Sequence, residues 1–258
     1  MFSVAVADLI LKYLSNFELL YSVFQTKFIF EKEDWSKLSF NPNAIDLLEQ
    51  NKDQINWSNL SENPNAIHLL EQNQHQIDWG HLSKNTNAIH LLEQNQDKIN
   101  WRLLSNNPNA IHLLEQNLNK IDWFYLSLNP NAIHLLQQNK DKINWSGLCQ
   151  NFNAINLIEQ NQDKIYWPSL SLNKNALNLL EQNIDKINWT YLSSNPNAIH
   201  LLEQNQDKIY WSYLALNSNA IHLITQNKVN TRYLLRNPSI FVPTNKNQIQ
   251  TCILSLHF

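Results

Sequence analysis

Apolar and polar residues alternate along the chain in a pattern that repeats every 22 residues. Every tryptophan marks the same position of this pattern, and no insertion or deletion interrupts the series Trp35, Trp57, Trp79, Trp101, Trp123, Trp145, Trp167, Trp189, Trp211. With Trp as position 1, the unit reads W-x-x-L-S-x-N-P-N-A-I-H-L-L-E-Q-N-x-D-K-I-N. A fixed period of this length indicates a repeat protein whose neighbouring units share one continuous core.

Each unit predicts two short helices. Position 22 is usually Asn or Asp, as at Asn56, and these residues are good N-caps for a first helix over W-x-x-L-S. In the following N-P-N-A-I-H-L-L-E-Q-N, the first Asn is expected to cap a second helix and Pro to occupy its first position, where the missing N–H costs nothing. On a helical wheel, the apolar residues of 110–114 lie on one side and His112 points away.

Glycine is scarce, with only Gly80 and Gly147, both at variable repeat positions. The chain therefore has no Gly-rich phosphate loop, no dinucleotide-binding fingerprint and no kinase-type loop. The turns need another residue, and Asn is the one most tolerant of the left-handed conformation. We expect the Asn that closes each second helix, such as Asn117, to adopt it.

The pattern predicts an all-α fold, an α-solenoid of about nine two-helix repeats with helical caps. The expected boundaries are an N-terminal cap over 1–34, the solenoid over 35–230 and a C-terminal cap over 231–258. The alternative is a leucine-rich repeat, but its L-x-L strand would need a leucine at the variable third position. The predicted structural core of the repeats contains Trp57, Trp79, Trp101, Trp123, Trp145, Trp167 and Trp189.

Charge and cysteine content exclude several classes of partner and site. The net charge is −3, whereas a nucleic-acid-binding protein normally carries a basic face, so no nucleic-acid partner is expected. The two cysteines, Cys149 and Cys252, are too few for a disulfide framework or a zinc site and fit a reducing compartment. The segment 1–14 lacks the basic start of a signal peptide and carries charges within its apolar stretch. We therefore expect an intracellular, non-secreted protein without a membrane partner.

Repetition also argues against catalysis, because an active site needs one asymmetric constellation rather than many equivalent copies. A column of outward histidines recurs at one position but is interrupted by Asp46, Asn156 and Asn178, and is interpreted as a solvated stripe rather than a metal site. Cys149 replaces a repeated serine and is interpreted as a small filler. No catalytic, cofactor-binding or metal-binding residue and no cofactor is predicted, and an enzyme remains a remote alternative.

Positions 2, 3 and 6 of the unit vary while their neighbours stay fixed. They flank the first helix, so stacking should bring them onto one surface, and aromatic residues there are typical of interaction sites. The alternative is that exposed positions simply drift. The candidate partner-binding residues are Arg102, Leu103, Phe124, Tyr125, Leu128, Tyr191 and Tyr213.

The unit INWxxLSxNPNAIHLLEQN resembles the short Asn-Pro/Trp tandem repeats of proteins from giant amoeba-infecting DNA viruses of the mimivirus type. The likeness covers about residues 35–227, and the Asn-rich, Gly- and Arg-poor composition is consistent with an AT-rich genome. The resemblance itself implies no activity. From the repeats and the absence of a catalytic constellation we predict a non-enzymatic scaffold that binds an unknown protein, and the resemblance places it in the cytoplasm of an infected host cell.

The N-terminal segment ADLILKYLSNFELLYSVF resembles the start of an F-box, although Ala7 stands where that motif has Pro. The matching residues are Asp8, Leu9, Leu11, Leu14, Ser15, Phe17, Leu19 and Leu20. This resemblance implies an adaptor that recruits a Skp1-like host protein through residues 1–34 and offers the repeats to a ubiquitination substrate. An ordinary apolar capping helix is the alternative.

Overall fold

The computed structural model describes residues 32–226, with side chains for 35–224. Within these residues the protein is entirely helical and contains no strand, which confirms the all-α solenoid and removes the leucine-rich alternative. The predicted C-terminal cap over 231–258 lies outside the described residues. So do the F-box-like residues and almost all of the predicted N-terminal cap. The chain divides into two compact units, residues 1–144 and 145–258.

Unit 1 contains ten described helices, in which a tryptophan-containing first helix alternates with a second helix. In chain order, α1 to α10 are Lys32–Phe40, Ile45–Gln50, Trp57–Glu62, Ile67–Gln72, Trp79–Leu82, Ile89–Gln94, Trp101–Leu104, Ile111–Glu115, Trp123–Leu128 and Ile133–Gln138. Short 3-10 helices lie at Pro42–Ala44, Lys52–Gln54, Gln74–Gln76, Gln96–Lys98, Leu118–Lys120 and Lys140–Lys142. Successive first helices contact one another, as α1 contacts α3 and α3 contacts α5.

Unit 2 repeats the same arrangement in its described part. Helices α11 to α18 are Trp145–Gln150, Ile155–Glu159, Trp167–Leu172, Leu177–Glu181, Trp189–Ser193, Ile199–Gln204, Trp211–Leu214 and Ile221–Gln226. Its 3-10 helices are Gln162–Lys164, Ile184–Lys186 and Gln206–Lys208. The first helices α11, α13, α15 and α17 form one row of successive contacts. Each unit is therefore a stack of two-helix repeats.

Side-chain caps begin the first helices at Trp57, Trp79, Trp101, Trp123 and Trp189, as predicted, whereas the helices at Trp167 and Trp211 follow a tyrosine and have no such cap. The Oδ1 of Asn56 accepts a hydrogen bond from the N–H of Asn59 at 3.1 Å. In α9, one carboxylate oxygen of Asp122 accepts from two successive N–H groups, those of Phe124 and Tyr125. These bonds satisfy donors that have no partner inside the helix.

In the first repeat Asn41 caps the 3-10 helix Pro42–Ala44, with Pro42 at its first position, as predicted. In the later repeats the second helices begin later than predicted. Helix α8 begins at Ile111 with Ala110 at its N-cap, so the proline of the repeat lies in the preceding turn and not in the helix. The Oδ1 of Asn107 closes that turn by accepting from the N–H of Asn109 at 3.0 Å. The predicted cap residue is therefore correct in type but acts on a turn three residues before the helix.

The prediction that the closing Asn is left-handed was wrong. Asn117 has φ −134° and ψ 47°, and its equivalents have similar angles. The side-chain amide of Asn117 donates to the carbonyl of Leu113 at 2.9 Å, and its N–H donates to the carbonyl of Leu114 at 3.0 Å. Because these bonds satisfy the last carbonyls of the helix, no left-handed residue is needed to end it.

The core consists of aliphatic side chains at five repeat positions. In the second repeat Leu60, Ala66, Leu69 and Leu70 are almost completely buried, and Ile77 closes one edge of the layer. The tryptophans are less buried than predicted: Trp35 is buried, whereas the seven core candidates Trp57, Trp79, Trp101, Trp123, Trp145, Trp167 and Trp189 are half-buried. The indole therefore lies at the boundary of the core, with part of its surface open.

Candidate functional site

The fixed asparagines of each repeat are fully used in joining it to the previous repeat. Asn107 is buried, and its amide donates to the carbonyls of Ser83 and Asn85, both at 3.1 Å. The same paired donation is made by Asn63, Asn85, Asn129, Asn173, Asn195 and Asn217. A buried amide without partners would cost about 1–3 kcal/mol, so this position cannot vary without losing stability.

The second asparagine of N-x-N makes a parallel ladder nearer the surface. Asn109 donates from its side chain to the carbonyl of Thr86 in the preceding repeat at 2.9 Å, and Asn131 donates to that of Pro108. Since the acceptor is a backbone carbonyl, the residue before this Asn can be Pro, Thr, Phe or Lys without loss of the bond. The ladder confirms that these asparagines serve turns and repeat contacts.

The repeated serine has a bridging role that sequence analysis missed. Ser61 donates to the carbonyl of Trp57 at 2.7 Å and accepts from the N–H of Asp78, which begins the next first helix, at 3.0 Å. Cys149 occupies the same position and accepts from the N–H of Tyr166 through its Sγ at 3.4 Å. Burial raises the pKa of the Cys149 thiol, which agrees with a structural role and not with an activated nucleophile.

Lysine side chains cover the open faces of the tryptophans. The Nζ of Lys98 lies 4.5 Å from the ring centroid of Trp79, and that of Lys120 lies 4.4 Å from Trp101. Four more pairs have the same geometry, namely Lys142–Trp123, Lys164–Trp145, Lys186–Trp167 and Lys208–Trp189. The recurring lysine 19 residues after each of these tryptophans was the available sequence signal for this contact.

The outward histidines form a paired stripe on the surface. The Nε2 of His90 lies 2.9 Å from Oε1 of Glu71 in the preceding repeat, with nearly half of each side chain exposed. The equivalent pairs are His68–Glu49, His112–Glu93, His134–Glu115, His200–Glu181 and His222–Glu203. The stripe is solvated as predicted, but each imidazole also has a carboxylate partner. Among residues 35–224, no group of three or more potential ligand side chains is arranged to hold a metal ion.

The unit 1 candidates form a connected patch around Tyr125. The guanidinium of Arg102 lies 4.9 Å from the Tyr125 ring, and its Nη2 donates to the Tyr125 hydroxyl at 3.2 Å. Phe124 meets Tyr125 edge to face at 5.4 Å and is 40% exposed. Leu103 and Leu128 are half-buried. We call Arg102, Phe124 and Tyr125 the unit 1 patch.

The unit 2 candidates are also in contact with each other. The rings of Tyr191 and Tyr213 meet at 6.2 Å with an interplanar angle of 74°, and each residue is 37% exposed. Position 22, which sequence analysis did not include, adds Tyr210, the most exposed large hydrophobic residue among those described, at 56%. Because position 22 is normally a helix cap, an aromatic residue there was the signal that could have identified it.

The cap position lies beside the variable positions, as the polar contacts of Asp78 show. Its carboxylate accepts from the Ser58 hydroxyl of the preceding helix at 2.9 Å and lies 2.9 Å from Nδ1 of His81 in its own helix. Burial raises the pKa of Asp78, but the hydrogen bonds from the His81 N–H, the Ser58 hydroxyl and the His81 ring outweigh burial and leave that pKa below its ordinary value. Positions 2, 3 and 22 therefore share one surface.

Comparison with known proteins yields no relative for this chain. No protein-family model matches it, and no curated protein or solved structure is significantly similar to it. Within the described part of the chain, no helix is long and apolar enough to cross a membrane. The candidate site therefore has to be interpreted from its own residues.

Proposed function

We propose that this protein is a non-enzymatic scaffold that binds another protein through the variable positions of its repeats. The site of first interest is the unit 1 patch of Arg102, Phe124 and Tyr125. Arginine and tyrosine are the residue types that most often dominate binding energy at protein interfaces. The expected setting is the cytoplasm of a virus-infected host cell, in line with the repeat resemblance.

The scaffold proposal rests on the difference between the fixed and the variable positions of the repeat. Asn, Ser and Ala at fixed positions lie in the ladders and the core, so their constancy has a structural cause. Phe124 has no such cause, because it leaves 40% of its surface exposed and its ring contact is with Tyr125, another variable position. Exposed positions that drift freely are expected to become polar, since exposed apolar surface promotes association.

An F-box-like adaptor is the second hypothesis, and it rests on the sequence of residues 1–34 alone. In that case deletion of residues 1–34 would remove a Skp1-like partner while the repeats kept their own target. In the simple scaffold, the same deletion would leave every specific partner bound. The two hypotheses therefore differ in one pull-down.

The scaffold proposal is tested by quantitative affinity capture from infected cells with the full chain and two variants. The first variant is Arg102→Ala with Phe124→Ala and Tyr125→Ala. The control variant is Ser58→Ala with Asn59→Ala, which changes the equivalent positions of another repeat. The patch lies outside the core, so we expect both variants to fold. Their far-ultraviolet circular dichroism spectra should match that of the unchanged chain.

We expect one or a few proteins to be lost with the patch variant and retained with the control, and a purified candidate to bind the unchanged chain directly in calorimetry. Loss of three interface anchors should weaken such binding by about 100-fold or more. Equal capture by all three chains would contradict a binding role for the patch.

A further inference from the structure

Unit 2 differs from unit 1 in the chemistry of its variable positions. In unit 1 these positions include the charged residues Lys37, Glu62, Lys84 and Arg102. In unit 2, positions 2, 3 and 6 of the repeats that begin at Trp145, Trp167, Trp189 and Trp211 carry no charged residue at all. They contain hydroxyl, aromatic and aliphatic side chains instead. A partner for this surface is therefore expected to be uncharged where it makes contact.

Three exposed tyrosines lie in or next to the first helices of two successive repeats, and we call Tyr191, Tyr210 and Tyr213 the tyrosine cluster. Tyr191 and Tyr213 form the ring pair described above, and the carbonyl of Tyr210 accepts from the N–H of Tyr213 at 3.0 Å. Tyr210 occupies the position that in unit 1 brings Asp78 beside its position 3 neighbour, His81. Tyr210 and Tyr213 are likewise the residue before α17 and the third residue of that helix.

Tyr210 is present at a cost to local stability. Helix α17 has no side-chain cap, because a tyrosine cannot accept the hydrogen bond that Asn188 accepts from Tyr191 in α15. Loss of an N-cap destabilises a protein by about 1 kcal/mol. Tyr210 therefore supplies exposed aromatic surface at a position where a cap would have stabilised the helix. The Nζ of Lys208, the nearest cation in the sequence, lies 4.7 Å from the Trp189 ring.

We propose that the tyrosine cluster binds an uncharged, proline-rich segment of a partner protein in the polyproline II conformation. A polyproline II chain has no internal hydrogen bonds, so its carbonyls are free to accept from tyrosine hydroxyls. Its proline rings pack against aromatic side chains, and it loses little entropy on binding because it is already extended. The rings of Tyr191 and Tyr213, which meet edge to face, provide two aromatic surfaces for such contacts, and positions 2, 3 and 6 of unit 2 add no charge.

This inference rests on the proposed function only in taking the partner to be a protein. It concerns unit 2, whereas the capture experiment concerns the unit 1 patch. Failure of one therefore leaves the other standing. A neutral oligosaccharide also stacks on aromatic rings, and it enters the experiment as the competing outcome.

The test is fluorescence polarisation of a labelled decaproline peptide with the full chain, and a Gly-Ser peptide of equal length serves as the control ligand. Variants Tyr191→Ala and Tyr213→Ala probe the cluster, and Phe40→Ala is the control, an exposed aromatic residue of unit 1 outside both proposed binding sites. Tyr213→Phe retains the ring and removes only the hydroxyl. Cellohexaose is added as a competitor.

We expect saturable binding of decaproline that each cluster alanine weakens by about 10-fold or more, with a smaller loss for Tyr213→Phe and none for Phe40→Ala. The proposal is overturned if decaproline does not bind at about millimolar protein, the weakest affinity of interest. It is also overturned if the Gly-Ser peptide binds equally, if the cluster variants bind like the unchanged chain, or if cellohexaose displaces the peptide.

Discussion

The two units have the same residues at the fixed repeat positions but different types of residue at the variable positions. Buried Asn107 in unit 1 and buried Asn195 in unit 2 make the same pair of bonds to the preceding repeat. Among the residues described, however, unit 2 exposes eight large hydrophobic side chains and unit 1 exposes three. The two units therefore have the same asparagine ladders but different surfaces. The residues that stabilise each repeat are separate from the residues that distinguish one repeat from another.

Cap residues show the same contrast. The first helices of unit 1 are capped by side chains such as Asn56, Asp78 and Asp122, whereas Tyr166 and Tyr210 of unit 2 make no cap bond. Position 22 therefore caps the next helix in these unit 1 repeats, whereas in unit 2 it does so at Asn188 and carries an exposed tyrosine at 166 and 210. The following predictions test this contrast in order of decreasing expected effect.

The largest effect is expected from the buried ladder. Asn107→Ala removes two donated bonds and one accepted bond, leaving buried carbonyls of the preceding repeat with fewer partners. We expect a loss of about 3 kcal/mol in the free energy of unfolding, measured by urea denaturation. Its neighbour Asn106 is exposed and variable, so Asn106→Ala should change stability by less than about 0.5 kcal/mol. Equal losses for the two substitutions would contradict the ladder's role.

A smaller effect of opposite sign is expected in unit 2. Tyr210→Asn restores the residue type that caps α15 and should raise the free energy of unfolding by about 1 kcal/mol. The same variant should weaken decaproline binding, because it removes one ring of the tyrosine cluster. Thermal unfolding and polarisation on one preparation measure both effects. A variant that is less stable than the unchanged chain would show that Tyr210 packs instead of displacing a cap.

The smallest effect concerns pH. Because the folded state holds the pKa of Asp78 below its ordinary value, the unfolded chain binds the proton more readily, and this stabilisation is present above the ordinary pKa and lost as pH falls through the folded one. Asp78→Asn, the residue type found at Asn56 and Asn100, should cap equally without titrating. Urea denaturation at neutral pH and at about pH 3 should show that the unchanged chain loses more stability on acidification than the Asp78→Asn variant. A difference independent of pH would contradict the assignment.

Much of this structure could be predicted from the sequence, because the repeat itself contains the local signals. The caps at Asn56 and Asp78 and the apolar positions around Leu113 follow from short-range rules. The conformation of Asn117 could not be predicted, since either a left-handed residue or a side-chain bond can end a helix, and only the structure shows that its amide reaches Leu113.

Contacts between repeats were the part that sequence reasoning could not supply. Ser61 was interpreted by its size alone, because its bond to Asp78 depends on how the next repeat is placed. The partial exposure of Trp79 and the contact of Lys98 with its ring also depend on how the next repeat is placed. For the candidate site, the contact between Arg102 and Tyr125 followed from repeat stacking, while Tyr210 was missed because position 22 was assigned to capping alone.

The central claim is that the fixed positions supply most of the stability of the stack and that the contacts made by variable positions supply little. It is tested most directly by urea denaturation of a chain whose repeat at Trp101 carries the variable residues of the repeat at Trp57: Arg102→Ser, Leu103→Asn and Asn106→Glu. Arg102 and Asn106 are exposed and Leu103 is half-buried, so we expect the free energy of unfolding to change by less than about 1 kcal/mol. A loss of several kcal/mol would show that the variable residues also hold the stack together.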